Sequence, residues 1–266
     1  MSGARHLDED DRVVIRAQWL CIMAVFDRVL VRPRQRDQDT SPFMMLTRLA
    51  ALPVERPSAT LLFVQVMSIL LYPLMQDTAV ERGAFRIIGL LVLGAALYVV
   101  KRGPWLTGFA VLLALPVVVL SVWLAFDFDL SRQAIMAALS AVFYFYAAGS
   151  LIAYMLEDEF ATADELFAAG ATFTLLASAF AYVYLVCQFL LPGSFGAVAG
   201  SADPRTWFEL LFLSFTTLSG VGLGDIVPAL PMARALVMIE EFSGVMYLAL
   251  VVSRLIALSV TTRGVR

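Results

Sequence analysis

Between residues 193 and 228 the chain reads GSFGAVAGSADPRTWFELLFLSFTTLSGVGLGDIVP, and what chemistry it offers lies in its backbone. Gly220, Gly222 and Gly224 alternate with Val221 and Leu223, and Asp225 closes the run. Glycine takes positive φ without a Cβ clash, so alternate residues can turn their carbonyls to the same side. Four copies of such a strand around an axis would stack carbonyl oxygens into rings that replace the hydration shell of a monovalent cation. Alternating glycines also occur in nucleotide-binding turns, but that reading needs a strand before them and a long helix after. Here an apolar helical run precedes them and Pro228 follows four residues later. Side-chain catalysis has no candidates, because the single histidine is His6 and no nucleophile, base and acid can be assembled around it.

The glycines need an element to aim them. Asp203 is a candidate N-cap with Pro204 at the first helical position, which predicts a helix from Arg205 to about Leu218. At 1.5 Å per residue that is only about 20 Å, too short to cross a bilayer. The expectation is a helix that enters from outside and returns, which membranes tolerate where protein buries it or it lines a water-filled path. Its C-terminal end carries roughly half a negative charge, a favourable end to aim at a cation.

The expected molecule is therefore an integral membrane protein, and its composition agrees. Of 266 residues 61% are hydrophobic and 15% charged, where soluble domains run at about 45–50% and 25%. Mean hydropathy is +0.83. Nineteen basic against 22 acidic residues give no sign of a nucleic-acid partner. Cys21 and Cys187 cannot build a disulfide framework and fall in different compartments. The N-terminus is acidic and carries no signal-peptide pattern.

Runs near the spanning length of about 20 residues occur at 59–75, 84–100, 105–126, 133–156 and 166–191, and a last one starts near Pro228 and passes Leu258. Six spans put both termini on one side. Placing them inside puts fourteen of the 19 basic residues on the cytoplasmic side, as the positive-inside rule requires. The fourth span has no basic residue beyond Arg132, so it lacks the arginine ladder of a voltage sensor. Residues 1–58 read as amphipathic helices at the cytoplasmic interface or packed on the membrane domain, with a basic stretch Arg32-Pro-Arg-Gln-Arg36. The linker 157–165, EDEFATADE, is acidic; Thr162 and Glu165 form a capping-box pattern for the fifth helix, and solvated carboxylates are expected there. Glu240 and Glu241 are carboxylates inside the last span, where such groups are functional candidates, although pairing with Arg234 would also account for them.

SFTTLSGVGLGDIVP resembles the pore signature of potassium channels, which in that family reads Thr-Val-Gly-Tyr-Gly-Asp. The surrounding helices are similar to those of bacterial six-helix potassium channel proteins, and the likeness extends through PMARALVMIEEFSGVMYLALVVSRLIAL. It covers residues 166–260 well and 59–156 in hydropathy only. The resemblance implies an ion-binding filter of Ser219, Gly220, Val221, Gly222, Leu223 and Gly224, with K⁺ held by the backbone carbonyls of Gly220, Val221, Gly222 and Leu223. It places Thr217 and Ser219 at the end of the pore helix. It makes Asp225 a carboxylate behind the outer mouth that bonds pore-helix side chains. It gives Glu240 a hydrogen bond behind the filter, and makes Gly244 a bending point of the inner helix or a packing glycine. Two positions depart from the family: Gly220 stands where it has Thr, and Leu223 where it has Tyr.

The expected molecule is an all-α polytopic membrane protein with six transmembrane helices and a re-entrant pore helix and filter between helices 5 and 6. Its parts are an interfacial region (1–58), a four-helix peripheral bundle (59–156), a cytoplasmic linker (157–165) and a pore domain (166–262). It is expected to be no enzyme and to need no cofactor beyond K⁺ as permeating ion. Its partners are the lipid bilayer of the cell membrane and three further copies in a homotetramer. Selective K⁺ conduction is the leading function. The alternatives are a weakly selective monovalent cation channel, motivated by Gly220 and Leu223, and a non-conducting scaffold.

Overall fold

The computed structural model describes residues 57–72, 89, 92–96, 98, 107–123, 130–157, 163–197, 204–222 and 224–264, all within the compact unit Leu49–Arg266. The N-terminal region up to residue 56, most of the expected span 84–100, Thr162, Asp203 and Leu223 lie outside the described residues.

Backbone polar groups in lipid must be satisfied within their own segment, which favours helices, and the chain is built that way. Its elements are α1 (Pro57–Leu71), α2 (Thr107–Trp123), α3 (Leu130–Glu157), α4 (Ala163–Leu190), β1 (Phe195–Ala197), α5 (Trp207–Leu218), β2 (Ile226–Pro228) and α6 (Pro231–Gly264). By length and composition α3, α4 and α6 are sufficient to cross a membrane. α1 and α2 are apolar but shorter, at 15 and 17 residues. The protein is an all-α membrane protein, with one small two-stranded ribbon.

α4 is the central helix. Ala168, Ala171, Ala177, Ala179 and Ala181 on it have no exposed surface, and small side chains of this kind let helix backbones approach closely in a membrane. α3 packs along it most extensively, α1, α5 and α6 also lie against it, and α2 packs on α3. Leu62 of α1 closes over Gly170, where a Cβ would sit 3.0 Å from the leucine Cδ2. A core of Leu61, Phe143, Leu151 and Leu175 fills the space between these helices. Phe143 stands edge-on to Tyr144, and Tyr144 stacks on Tyr182.

The start of α4 is tied down by polar contacts. Asp164 and Glu165 lie in its first turn, where negative charge offsets the helix dipole. The expected linker is therefore shorter than 157–165, since its last three residues are helical. Ser58 Oγ donates to Asp164 Oδ2 at 2.8 Å. Glu165 departs from the solvated expectation, being only 4% exposed and 3.9 Å from Arg254 of α6.

α6 is the exception to this close packing. Only 17% of its span is buried within the chain, against 50% for α3 and for α4. Met238, Ile239, Phe242, Val245 and Met246 each expose more than half their surface. One of its contacts with the chain is made by backbone. A Cβ on Gly244 would fall 2.1 Å from the carbonyl oxygen of Leu218, the last residue of α5. Replacing Gly244 by Ala should therefore cost about 1–3 kcal/mol through forced separation of the helices. Gly94→Ala, where a Cβ meets nothing within 4 Å, should be neutral or slightly stabilising. Thermal unfolding of the two variants in one detergent checks the contrast, and equal midpoints would refute it.

Candidate functional site: the turn after the short helix

The short helix begins later than Asp203 and Pro204 predict. Its N-cap is Thr206, in extended conformation, and Thr206 with Glu209 forms a complete capping box. Glu209 Oε2 accepts from Thr206 N at 2.6 Å, and Thr206 Oγ1 accepts from Glu209 N at 3.3 Å. Two orphan amides are thereby satisfied at one end. Arg205 is held just before the cap. Its backbone N–H donates to Gln188 Oε1 at 2.8 Å, and its carbonyl accepts from Gln188 Nε2 at 2.9 Å. The Arg205 guanidinium reaches Glu209 at 3.5 Å. Gln188, Thr206 and Glu209 were not singled out in the sequence, although Thr-Trp-Phe-Glu is a capping-box pattern immediately ahead of an apolar run.

α5 is 12 residues long, about 18 Å at 1.5 Å per residue. It ends in a tight turn rather than a taper. Ser219 is the C-cap, and its N–H bonds to Phe215 O. Gly220 N donates to Thr217 O at 2.9 Å, while Val221 N and Gly222 N both donate to Thr216 O at 3.0 Å. Gly220 has φ +71° and Gly222 φ +64°. The alternation that the glycine spacing predicts is thus present, and side chains at either position would be strained. Thr216 was absent from the sequence reading; its carbonyl is the shared acceptor of the turn. Thr217 is buried, and Ser219 Oγ donates to Thr216 O at 3.2 Å.

Gly220, Val221, Gly222, Gly224 and Asp225 are exposed on the chain. Gly224 differs from its two neighbours in not having positive φ. The carboxylate of Asp225 reaches no side chain of α5 among the described residues. The α5 residue beside that strand is the apolar Leu213, 3.9 Å from where a Cβ on Gly224 would lie. The ribbon then catches the chain, with Ala197 opposite Ile226 and Phe195 opposite Pro228. Ala229 N donates to Ser194 O at 2.8 Å. The exposed turn is consequently anchored on both sides, by α5 before it and by β2 after.

Behind the turn sits a buried polar cluster. Glu240 of α6 has no exposed surface, and its two carboxyl oxygens bond to the hydroxyls of Tyr184 on α4 and Ser214 on α5. Ser214 Oγ also lies 2.8 Å from Ala177 O, so its single proton is placed between that carbonyl and the Glu240 carboxyl. Arg234 is not the partner of this carboxyl, since its Nε donates to Pro228 O at 3.1 Å. Glu241, by contrast, is exposed. The cluster joins the three helices at mid-span with side chains alone.

Residues 135–260 match the family model described as Ion channel (Ion_trans_2). This stretch is similar to ion-channel domains of the potassium-channel type. It takes in most of α3, then α4, α5, the glycine turn, the ribbon and most of α6. The similarity thus begins within α3, earlier than the likeness over 166–260 that the motifs carry. Members of that family are not known as enzymes. No curated protein and no solved structure matches the chain.

Removing the carboxyl of Glu240 should be felt as a lost junction. Glu240→Leu strands the buried Tyr184 hydroxyl and should lower stability by about 1–3 kcal/mol. Glu240→Gln keeps an acceptor and a donor in place and should cost about 1 kcal/mol or less. Thermal unfolding of both in detergent tests this. A leucine variant as stable as wild type would remove Glu240 from its structural role.

Proposed function

We propose that this protein is a homotetrameric channel that conducts K⁺ passively and selectively across the cell membrane. The single observation that carries the reading is the pair of positive-φ glycines, Gly220 and Gly222, set directly at the C-terminal end of a helix too short to span. In this reading α5 is a re-entrant pore helix whose negative dipole end faces the permeation path. The carbonyls of Gly220, Val221, Gly222 and Leu223 form the ion-coordinating rings, with Ser219 at the inner edge and Gly224 at the outer edge. Ions shed water against these oxygens and advance in single file by mutual repulsion.

One chain contributes one such turn, and a ring needs four. The exposed apolar face of α6 supports assembly as well, since Phe242 and Met238 are the most exposed of its large side chains. Thr217, Asp225 and Glu240 support the filter, Asp225 through contacts within the assembly. Gly244 is also where α6 bends when the pore opens. The topology is six spans with both termini in the cytoplasm, so that α1, the segment around residues 84–100, and α2 complete the peripheral bundle with α3. Arg132 lies at the start of α3 and no basic residue follows until Arg205, so the channel does not sense voltage through that helix.

A second reading, favoured by Gly220 in place of a hydroxyl-bearing residue and by Leu223, is a weakly selective monovalent cation channel. Flux in liposomes carrying the purified protein separates the two. Selective conduction predicts K⁺ flux stopped by Ba²⁺ and little Na⁺ flux; equal flux of both ions replaces it with the second reading. Under that second reading Leu223→Tyr should raise the K⁺/Na⁺ permeability ratio, and an unchanged ratio would dismiss that departure as its cause; Gly220→Thr is a poorer test because Gly220 has φ +71°. Absence of flux from open-reconstituted protein that also fails to form tetramers would point to a non-conducting scaffold.

A further inference from the structure

A cavity of about 210 Å³ lies inside the helical bundle, away from the glycine turn. It is walled by all five helices α1 to α5 and by residues 89, 92 and 93. None of the described residues lining it is charged. Two aromatic pairs form much of the wall: Tyr72 stacks on Phe208 with ring centres 4.1 Å apart, and Tyr144 on Tyr182 at 5.6 Å. The lining serines have spent their protons within their own helices. Ser68 donates to Gln65 O, Ser121 to Val117 O, Ser140 to Met136 O and Ser178 to Thr174 O, each at 2.7–2.8 Å.

The Gln65 amide stands apart from these serines. Gln65 is 3% exposed and lines the cavity, and Thr174 Oγ1 donates to its Oε1 at 2.6 Å, yet its Nε2 has no hydrogen-bond partner. A buried amide end without a partner costs free energy that an occupant recovers by bonding to it. A cavity of about 150 Å³ is already enough to take up benzene when its walls are apolar.

We propose that this cavity binds a small uncharged molecule with an apolar, ring-sized body and one hydroxyl group, the hydroxyl bonding the free end of Gln65. A hydroxyl both donates and accepts, so it meets that end whichever way the amide is turned. The uncharged walls that the described residues provide favour an uncharged occupant, since burying an ion without a counter-charge is costly. The aromatic pairs take the ring by stacking. Because Trp207, Phe208 and Leu211 of α5 also line the cavity, the occupant rests on the helix that leads into the glycine turn. This site is separate from the ion path and does not depend on what the turn conducts.

The test uses the full chain in detergent micelles, with para-fluorobenzyl alcohol as probe and para-fluorotoluene as its hydroxyl-free counterpart. Binding is read by fluorine NMR against empty micelles. Wild type should take up the alcohol saturably and about fivefold more tightly than the toluene, the factor expected for one neutral hydrogen bond. Gln65→Leu should remove that preference. Gly89→Phe should abolish binding of both probes, since a Cβ there meets nothing within 4 Å and the ring would occupy the cavity. Elution volume and helical circular dichroism check that each variant folds, and the two-probe comparison on wild type needs no variant. Equal uptake of the probes by wild type, no saturable binding, or an unchanged preference in a folded Gln65→Leu protein would each overturn the proposal.

Discussion

A carboxyl group with no exposed surface has to be met by hydrogen bonds where it stands, and much of the rest of this structure follows from how Glu240 is met. Its oxygens take the hydroxyls of Tyr184 and Ser214, so α4, α5 and α6 have one relative placement in which all three polar groups are satisfied. Apolar packing alone gives no such uniqueness in lipid, where tails and side chains are equally greasy. Around the junction the contacts are of the ordinary kind: Leu210, Leu213, Ala233 and Ile226 pack with Tyr184 on one side, and Ala177, Leu211 and Leu218 pack on the other. Polar specification at the centre with apolar filling around it fixes the helix that aims the glycines.

The segment so aimed is short and doubly held. A capping box and the Gln188 clamp set where α5 starts, and three amides folded back onto Thr216 and Thr217 set where it stops. Beyond the glycines the ribbon with β1 takes over. Between these two anchors Gly220, Val221, Gly222, Gly224 and Asp225 stay exposed. A loop of that composition left free would sample many conformations, since glycine loses the most freedom on ordering. Here the ordering is imposed from both ends by groups outside the loop.

Much of this was legible in the sequence. Hydropathy alone revealed the long helices, and α3 and α4 fall close to the runs 133–156 and 166–191. The glycine spacing announced positive φ at two of its three positions, with Gly224 the exception. Other features were hidden because they depend on partners distant in the chain. Glu240 could be marked as an intramembrane carboxylate, but whether it would meet Arg234 or a hydroxyl depended on which faces of α4 and α5 turn toward it. The helix start was misplaced because Asp203-Pro204 and Thr206-Trp-Phe-Glu209 both look like N-termini, and the second satisfies two amides where the first satisfies one. The ribbon was missed because three-residue strands carry no readable period; only the pairing of Phe195–Ala197 with Ile226–Pro228 makes them strands. Asp225 was expected to bond α5 from a family pattern, whereas this α5 presents Leu213 beside that strand.

The meeting of Gly244 with Leu218 has a mechanical meaning. Most helix contacts are cushioned by side chains that can change rotamer, so a small displacement of one helix is absorbed before it reaches the next. Here main chain rests on main chain, with a hydrogen atom as the only spacer. A sideways step of α6 at that level has no side chain to compress and pushes directly on the Leu218 carbonyl, two residues ahead of Gly220. The contact behaves as a stiff fulcrum under the glycine turn, and its stiffness is set by the backbone itself rather than by any side chain that could be exchanged.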